Sequence, residues 1–175
     1  MTDIRPLSAA EAESHLPALV SLLRSTVDDG ASIGFLPPVP DAEADAYWRE
    51  VLPGVAEGGR VLIGAMDGER LLGCVQLALE GRANGRHRAE IQKLMVLPDA
   101  RGRGLGAALM AAAEDAARAG GRTLLVLDTR EGDAAERLYR RLGWTQAGRI
   151  PGYALNADGG RDATLFFYRE LAQPG

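Results

Sequence analysis

Residues 101–106, RGRGLG, place three glycines and two arginines in six positions, and an alanine-rich helical pattern follows at once. Glycine permits the tight turns that expose successive backbone N–H groups, and the start of a helix presents more of them. Unpaired amides, a helix dipole and two guanidinium groups together make a seat for a phosphate or pyrophosphate. Other residues nearby in the sequence could do chemistry: Glu90 and Asp128 as proton acceptors, and Cys74 as the single thiol. Cys74 lies inside the apolar run LLGCVQLAL, so it is expected as a buried strand residue rather than a nucleophile.

The bulk of the chain narrows what such a seat would hold. With 175 residues it is long enough for one domain, residues 1–175, around a real core. Its 46% hydrophobic and 25% charged content is that of a globular protein. No apolar run approaches the ~18–20 residues of a membrane helix. The opening MTDIRPLSAAEAES carries acids and no apolar h-region, so no secretory signal is expected. One cysteine precludes an internal disulfide, which fits a cytoplasmic chain with no membrane partner. A net charge of −4 and a pI near 5.3 argue against nucleic acid as a partner. Within this acidic chain, Arg82, Arg86, Arg88, Lys93, Arg101 and Arg103 face only Glu90 and Asp99 over residues 82–103. That basic island suits a compact polyanion, and no metal site is expected.

The elements that must position these groups read as follows. DIRPL is a short first strand, and Ser8 with Glu11 forms a capping box for a helix carried to about Val27. DDGASIGFLPPVP is a loop, and Asp41 opens a second helix ending near Pro53. RVLIGAM and RLLGCVQLALE flank an Asp-Gly turn, a hairpin signal. AEIQKLMVL is a strand, followed by the glycine loop, a helix over roughly 104–119 and the strand RTLLVLDT. Asp133 and Glu136 suggest a second capping box opening AERLYRRLG, and the strands WTQAGRIPGYAL and ATLFFYREL close the chain. The order β-α-α-β-β-β-α-β-α-β-β describes an α/β (α+β layered) fold: a mixed sheet of about seven strands with four helices. Only residues 89–128 form a clear βαβ unit.

Two nucleotide folds compete for the glycine loop. A P-loop is excluded, because no Gly-Lys-Ser or Gly-Lys-Thr follows. Gly102, Gly104 and Ala107 match the G-x-G-x-x-A dinucleotide fingerprint, with Asp128 about twenty residues on. Against it, LPDAR separates the strand from the first glycine, and the remaining chain holds too few βα units. The other parse is Arg101-x-x-Gly104-x-Gly106. Preceded by KLMVLPDA and followed by AERLYRRLGW, it resembles the coenzyme A loop of the GNAT N-acetyltransferases, and the likeness runs from about residue 3 to 171. Within that family, GASIGF, NGRHRAEIQKLMVLPDARGRGLG, LDT and IPGY followed by DG are similar to members that acetylate the amino group of a β-lactam amino-acid toxin.

The resemblance implies a mostly antiparallel GNAT sheet whose central parallel strands splay, with acetyl-CoA as cofactor. Arg101, Gly102, Arg103, Gly104, Leu105, Gly106 and Ala107 would hold the pyrophosphate. Leu94, Met95 and Val96 would carry the pantetheine arm like an added strand, Leu94 and Val96 through exposed backbone groups. Glu90 and Asp128 would deprotonate the amine and Tyr139 would protonate the leaving thiolate. In a straight parallel pair, Glu90 at the start of one strand and Asp128 at the end of the next would stand at opposite edges, unless the strands splay. Many family members carry Asn where this chain has Gly132, a cofactor contact absent here or replaced by Asp133 or Thr129. Ser32, Phe35, Tyr153 and Asp162 are candidates to line the acceptor pocket, His87 could assist proton traffic, and His15 has no expected chemical role.

The expected activity is direct acetyl transfer to a primary amine of a small molecule, amino-acid-like toxins included. Acetylation of a protein or peptide amine, and a non-catalytic acetyl-CoA-binding module, stand as alternatives. The chain is expected as a monomer or a homodimer.

Overall fold

A computed structural model describes residues 1–172. In chain order these form β1 (Asp3–Pro6), α1 (Ala9–Ser14), α2 (Leu16–Asp28), α3 (Asp41–Ala56), β2 (Arg60–Asp67), β3 (Arg70–Leu79) and β4 (Arg88–Val96). A short 3₁₀ turn, Pro98–Ala100, leads to α4 (Leu105–Ala119), β5 (Leu124–Arg130), α5 (Ala134–Arg141), β6 (Thr145–Leu155) and β7 (Arg161–Glu170). The seven strands make one sheet in the order β1-β2-β3-β4-β5-β7-β6. Among the described residues only β4 and β5 pair in parallel, so the layered α/β class expected from the element order holds, as does the mostly antiparallel sheet that the resemblance implies.

Five α-helices stand where four were expected. The first expected helix breaks at His15, because Pro17 in the first turn of α2 has no N–H to donate back into α1. The capping box before it forms fully, with the Glu11 backbone N–H donating to Ser8 Oγ and the Ser8 N–H to the Glu11 carboxylate. The third helix runs a turn past Pro53, and Glu57 N–H closes it on the Pro53 carbonyl. The second expected capping box does not form. Asp133 precedes α5 but its carboxylate takes Arg130, and Glu136 accepts from Gly132 N–H instead.

Both faces of the sheet are covered. Leu105, Leu109, Met110 and Ala113 of α4 pack with Ile63, Leu72, Ile91 and Phe167 on one face. Leu19, Leu22 and Leu23 of α2 and Trp48 of α3 pack with Leu62, Cys74 and Met95 on the other. Cys74 is fully buried and its thiol is pushed far up by desolvation, so it is a core residue and not a nucleophile. No helix among the described residues is long and apolar enough to cross a membrane.

One irregularity shapes the centre. Cys74 pairs with Met95 and Gln76 with Gln92, so Lys93 and Leu94 together oppose the single residue Val75. This is a β-bulge, and Lys93 takes a φ of 50° within it. The extra residue reverses the alternation of β4: Ile91 faces the α4 side, whereas Met95 four residues on faces the α2 side.

Candidate active site

Pairing between β4 and β5 stops almost as soon as it starts. Arg88, Ala89 and Glu90 match Leu124, Leu125 and Val126, and no later residue of β4 has a β5 partner. Beyond Glu90 the strands diverge, and the β4 edge from Ile91 to Val96 is left facing a gap. Two adjoining cavities fill that gap, of about 560 and 630 Å3, and both are walled by Ala31, Leu94, Arg130, Asp133 and Ala135.

The smaller cavity is a groove between the glycine loop and α5. Gly102 and Gly104 take φ values of 75° and 77°, a left-handed turn that side chains resist. Gly106 serves differently from the turn expected of it: it sits inside α4, where a Cβ would come within 3.2 Å of Leu138. Gly104 carries no side-chain cap, and Ala108 is the first residue whose N–H bonds back, to the Gly104 carbonyl at 3.1 Å. The N–H groups of Leu105, Gly106 and Ala107 therefore have no helical acceptor, and they border the groove. Arg101 also lines it, donating to the Val96 carbonyl at 3.3 Å and ion-paired to Asp29. Of the residues expected around the cofactor, Met95 and Arg103 are not brought to the groove. The bulge turns Met95 into the core, and Arg103 donates to the Asp99 carbonyl at 3.2 Å. The groove fits a pyrophosphate at the open amides and an extended chain along the free edge of β4.

The larger cavity is a cleft that receives both acids. Glu90 is level with Val126, and Asp128 lies one same-face position farther along β5, so both carboxylates point into the cleft. The register and the splay thus remove the separation expected of a straight strand pair. Partial enclosure raises the Asp128 carboxyl above its ordinary range, and the neighbouring Glu90 charge raises it further, against a smaller opposing pull from Lys93. Tyr139 stands at the inner end, 95% hidden from solvent, with its ring 6.1 Å from those of Trp144 and Phe167. Burial, then Asp128, push its phenol pKa up, and its hydroxyl makes no hydrogen bond among the described residues.

Ser32 and Tyr153 line the cleft as expected, while Phe35 and Asp162 do not. Phe35 stands behind Tyr47, edge-on at 5.4 Å, and Asp162 pairs with Arg130 at 3.5 Å and accepts from Asn156 at 3.0 Å. His87 is exposed outside both cavities, its carbonyl accepting from Thr123 and Leu124. Asp133, at the Gly132 corner, borders both cavities and Thr129 borders the cleft.

Sequence reasoning missed the cleft's cations. Arg60 donates to Gln76 and Gln92, both at 2.7 Å, and Gln76 donates to the Tyr47 hydroxyl at 3.0 Å. Lys93 extends its ammonium over the Tyr47 ring, 5.5 Å from the centroid. Arg130 binds Asp133 through two nitrogens and reaches the Gly30 carbonyl at 2.7 Å, fastening the 29–34 loop beside the junction of the cavities.

A sequence model of the acetyltransferase (GNAT) family matches residues 25–144. Similar solved structures include the ribosomal-protein-alanine N-acetyltransferase of Brucella melitensis, at 23% identity over 97% of this chain and 99% of that one, with a TM-score of 0.80. A provisionally assigned acetyltransferase from Salmonella typhimurium, yncA, was solved with its cofactor acetyl-CoA; it shares 20% identity over 100% and 96% of the two chains, with a TM-score of 0.77. A protein provisionally designated a phosphinothricin N-acetyltransferase shares 23% identity over 99% and 100%, with a TM-score of 0.79. The match spans more than half of the chain and takes in both the glycine loop and the two acids, so this protein belongs to the GNAT acetyltransferases, enzymes whose acyl donor is acetyl-CoA.

Proposed function

We propose that this chain transfers the acetyl group directly to a primary amine of a small molecule bound in the cleft. The observation that carries this reading is the shared wall of the two cavities at the β4–β5 splay. A donor lying along β4 would end beside Leu94, where the acceptor cleft and its two carboxylates begin.

Bound acetyl-CoA would supply the thioester that the amine attacks. The amides of Leu105, Gly106 and Ala107, with Arg101, would hold its pyrophosphate, and the backbone of Leu94 and Val96 would align its arm. Asp128 and Glu90 accept the ammonium proton at their carboxylate oxygens, directly or through one water. Tyr139 donates a hydrogen bond to the departing sulfur. Burial holds its phenol protonated, so the thiolate leaves stabilised by that O–H and takes its proton from solvent. No cysteine or serine lines the cleft in a position to carry the acetyl group, apart from Ser32 on the loop, which has no base beside it among the described hydrogen bonds. This supports transfer in one step.

The acceptor reading draws on two likenesses. The motif run around the glycine loop is similar to the tabtoxin resistance protein, and the fold is similar to the provisional phosphinothricin N-acetyltransferase. Both point to a small, amino-acid-like toxin and a resistance role. A peptide amine is the second reading, favoured by the likeness to the ribosomal-protein-alanine enzyme. A thiol-release assay with acetyl-CoA across small amines, amino-acid toxins and N-terminal peptides separates them. Turnover confined to peptides would overturn the small-molecule reading, and no turnover with any amine would overturn catalysis by these acids.

A further inference from the structure

The cleft carries charges of both signs, and neither sign is neutralised by the described residues. Lys93 and Arg60 line it together with Glu90 and Asp128, and none of the four joins an ion pair among the described residues. Elsewhere arginines are commonly paired, as Arg101 is with Asp29, Arg130 with Asp133 and Arg149 with Glu131. The charges still sense each other: Asp128 and Glu90 both act on Lys93, while burial and Arg60 oppose its charge. Charges held this way, close but out of contact, leave a gap that a molecule bearing both signs would close.

The cationic side is also built rather than incidental. Lys93 owes its position to the bulge, whose φ of 50° is uncommon outside glycine. Tyr47 supports its ammonium, and Tyr47 is itself fixed by Gln76, a fully buried side chain that also accepts from Arg60. Arg60 gives one nitrogen to Gln76 and Gln92, which leaves its other N–H groups without an acceptor among the described residues.

We propose that Lys93 and Arg60 form an anion subsite for the acceptor, so that the preferred substrate is an α-amino acid or close analogue carrying its free acid group. The ammonium to be acetylated then meets Glu90 and Asp128 while the acid group is held by Lys93 and Arg60, which orients the amine toward the end of the donor groove. This inference rests on the reading of the cleft as the acceptor site.

The test is coenzyme A release by the intact protein with acetyl-CoA, using free L-α-amino acids each beside its α-carboxamide. The pair keeps the amine and removes the negative charge, with kcat/KM corrected for the lower basicity of the amide's amine. A half-buried charged subsite discriminates by roughly ten- to a hundred-fold in kcat/KM. Lys93→Met brings that ratio close to one, chiefly through KM for the acid, and Lys93→Arg preserves the preference because it keeps the charge. Equal use of acid and amide overturns the anion subsite while leaving the small-amine reading intact, as does a Lys93→Arg variant that folds normally yet loses the preference. Acetylation of peptides alone overturns both.

Discussion

Arg101 and Asp29 form an ion pair that joins the glycine loop to the loop walling the acceptor cleft. Asp29 therefore holds the guanidinium that a pyrophosphate would take. Both side chains are nearly half exposed, so the pair itself adds ~0–1 kcal/mol to stability. Its effect falls on binding. Asp29→Ala is expected to tighten acetyl-CoA by a few-fold, and Arg101→Ala to weaken it by about ten-fold, with little change in Tm. Titration calorimetry at two salt concentrations checks this, and equal affinity in all three proteins would remove Arg101 from the cofactor site.

Gly104 is open to solvent but locked in shape. A Cβ there would meet nothing within 4 Å, yet its φ of 77° is one that a β-branched residue resists. Gly104→Val is expected to lower stability by ~1–3 kcal/mol and to turn the first amides of α4 away from the groove. Thermal unfolding with and without acetyl-CoA separates the two effects. The variant should lose the cofactor-dependent rise in Tm, and an undiminished rise would sink the assignment of this turn to the pyrophosphate.

Much of this arrangement was legible because its signals are local. The glycine loop, the Ser8–Glu11 box and the Asp-Gly hairpin each lie within a few residues, and each formed. What escaped depends on register. Arg60, Gln76 and Gln92 meet only because β2, β3 and β4 align them across the sheet, and no spacing along the chain announces that. The bulge at Lys93 was hidden in KLMV, an ordinary strand sequence, although it decides that Met95 faces the core. Phe35 and Asp162 were plausible by type, but Tyr47 and Arg130 draw them away from the cleft wall.

Asp128 should set the acid limb of the rate profile. Its carboxyl is raised, so the basic form is lost as pH falls through a value above the ordinary carboxylate range. Glu90 is one cause of that rise. Glu90→Gln is therefore expected to shift the acid limb of kcat/KM to lower pH as well as slowing turnover, whereas Asp128→Asn removes the limb. An unmoved limb in Glu90→Gln would separate the two acids.

The same shift has a consequence for stability. The native state holds the Asp128 proton more tightly than the unfolded chain does, so the contribution of this group is full at low pH and is lost as pH rises through the folded pKa. Asp128→Asn removes that loss. The variant is expected to melt slightly higher than the parent at neutral pH and no higher at acidic pH, despite its poor turnover. A lower Tm at neutral pH would mean that Asp128 serves the fold and not the proton transfer.

Tyr139 offers the sharpest separation of chemistry from packing. Its ring fills the core between Trp144 and Phe167, so Tyr139→Phe keeps that packing. Its hydroxyl has no partner among the described residues, so removing it strands no buried group, and Tm should stay the same or rise. Without the hydroxyl the leaving sulfur has no placed hydrogen-bond donor, and kcat should fall by about 10²-fold with KM little changed. Because burial raises its pKa above the ordinary tyrosine value, the parent should show no alkaline loss of rate from this group below about pH 10. A Tyr139→Phe enzyme with undiminished kcat would make Tyr139 a core residue alone and leave the thiolate to solvent.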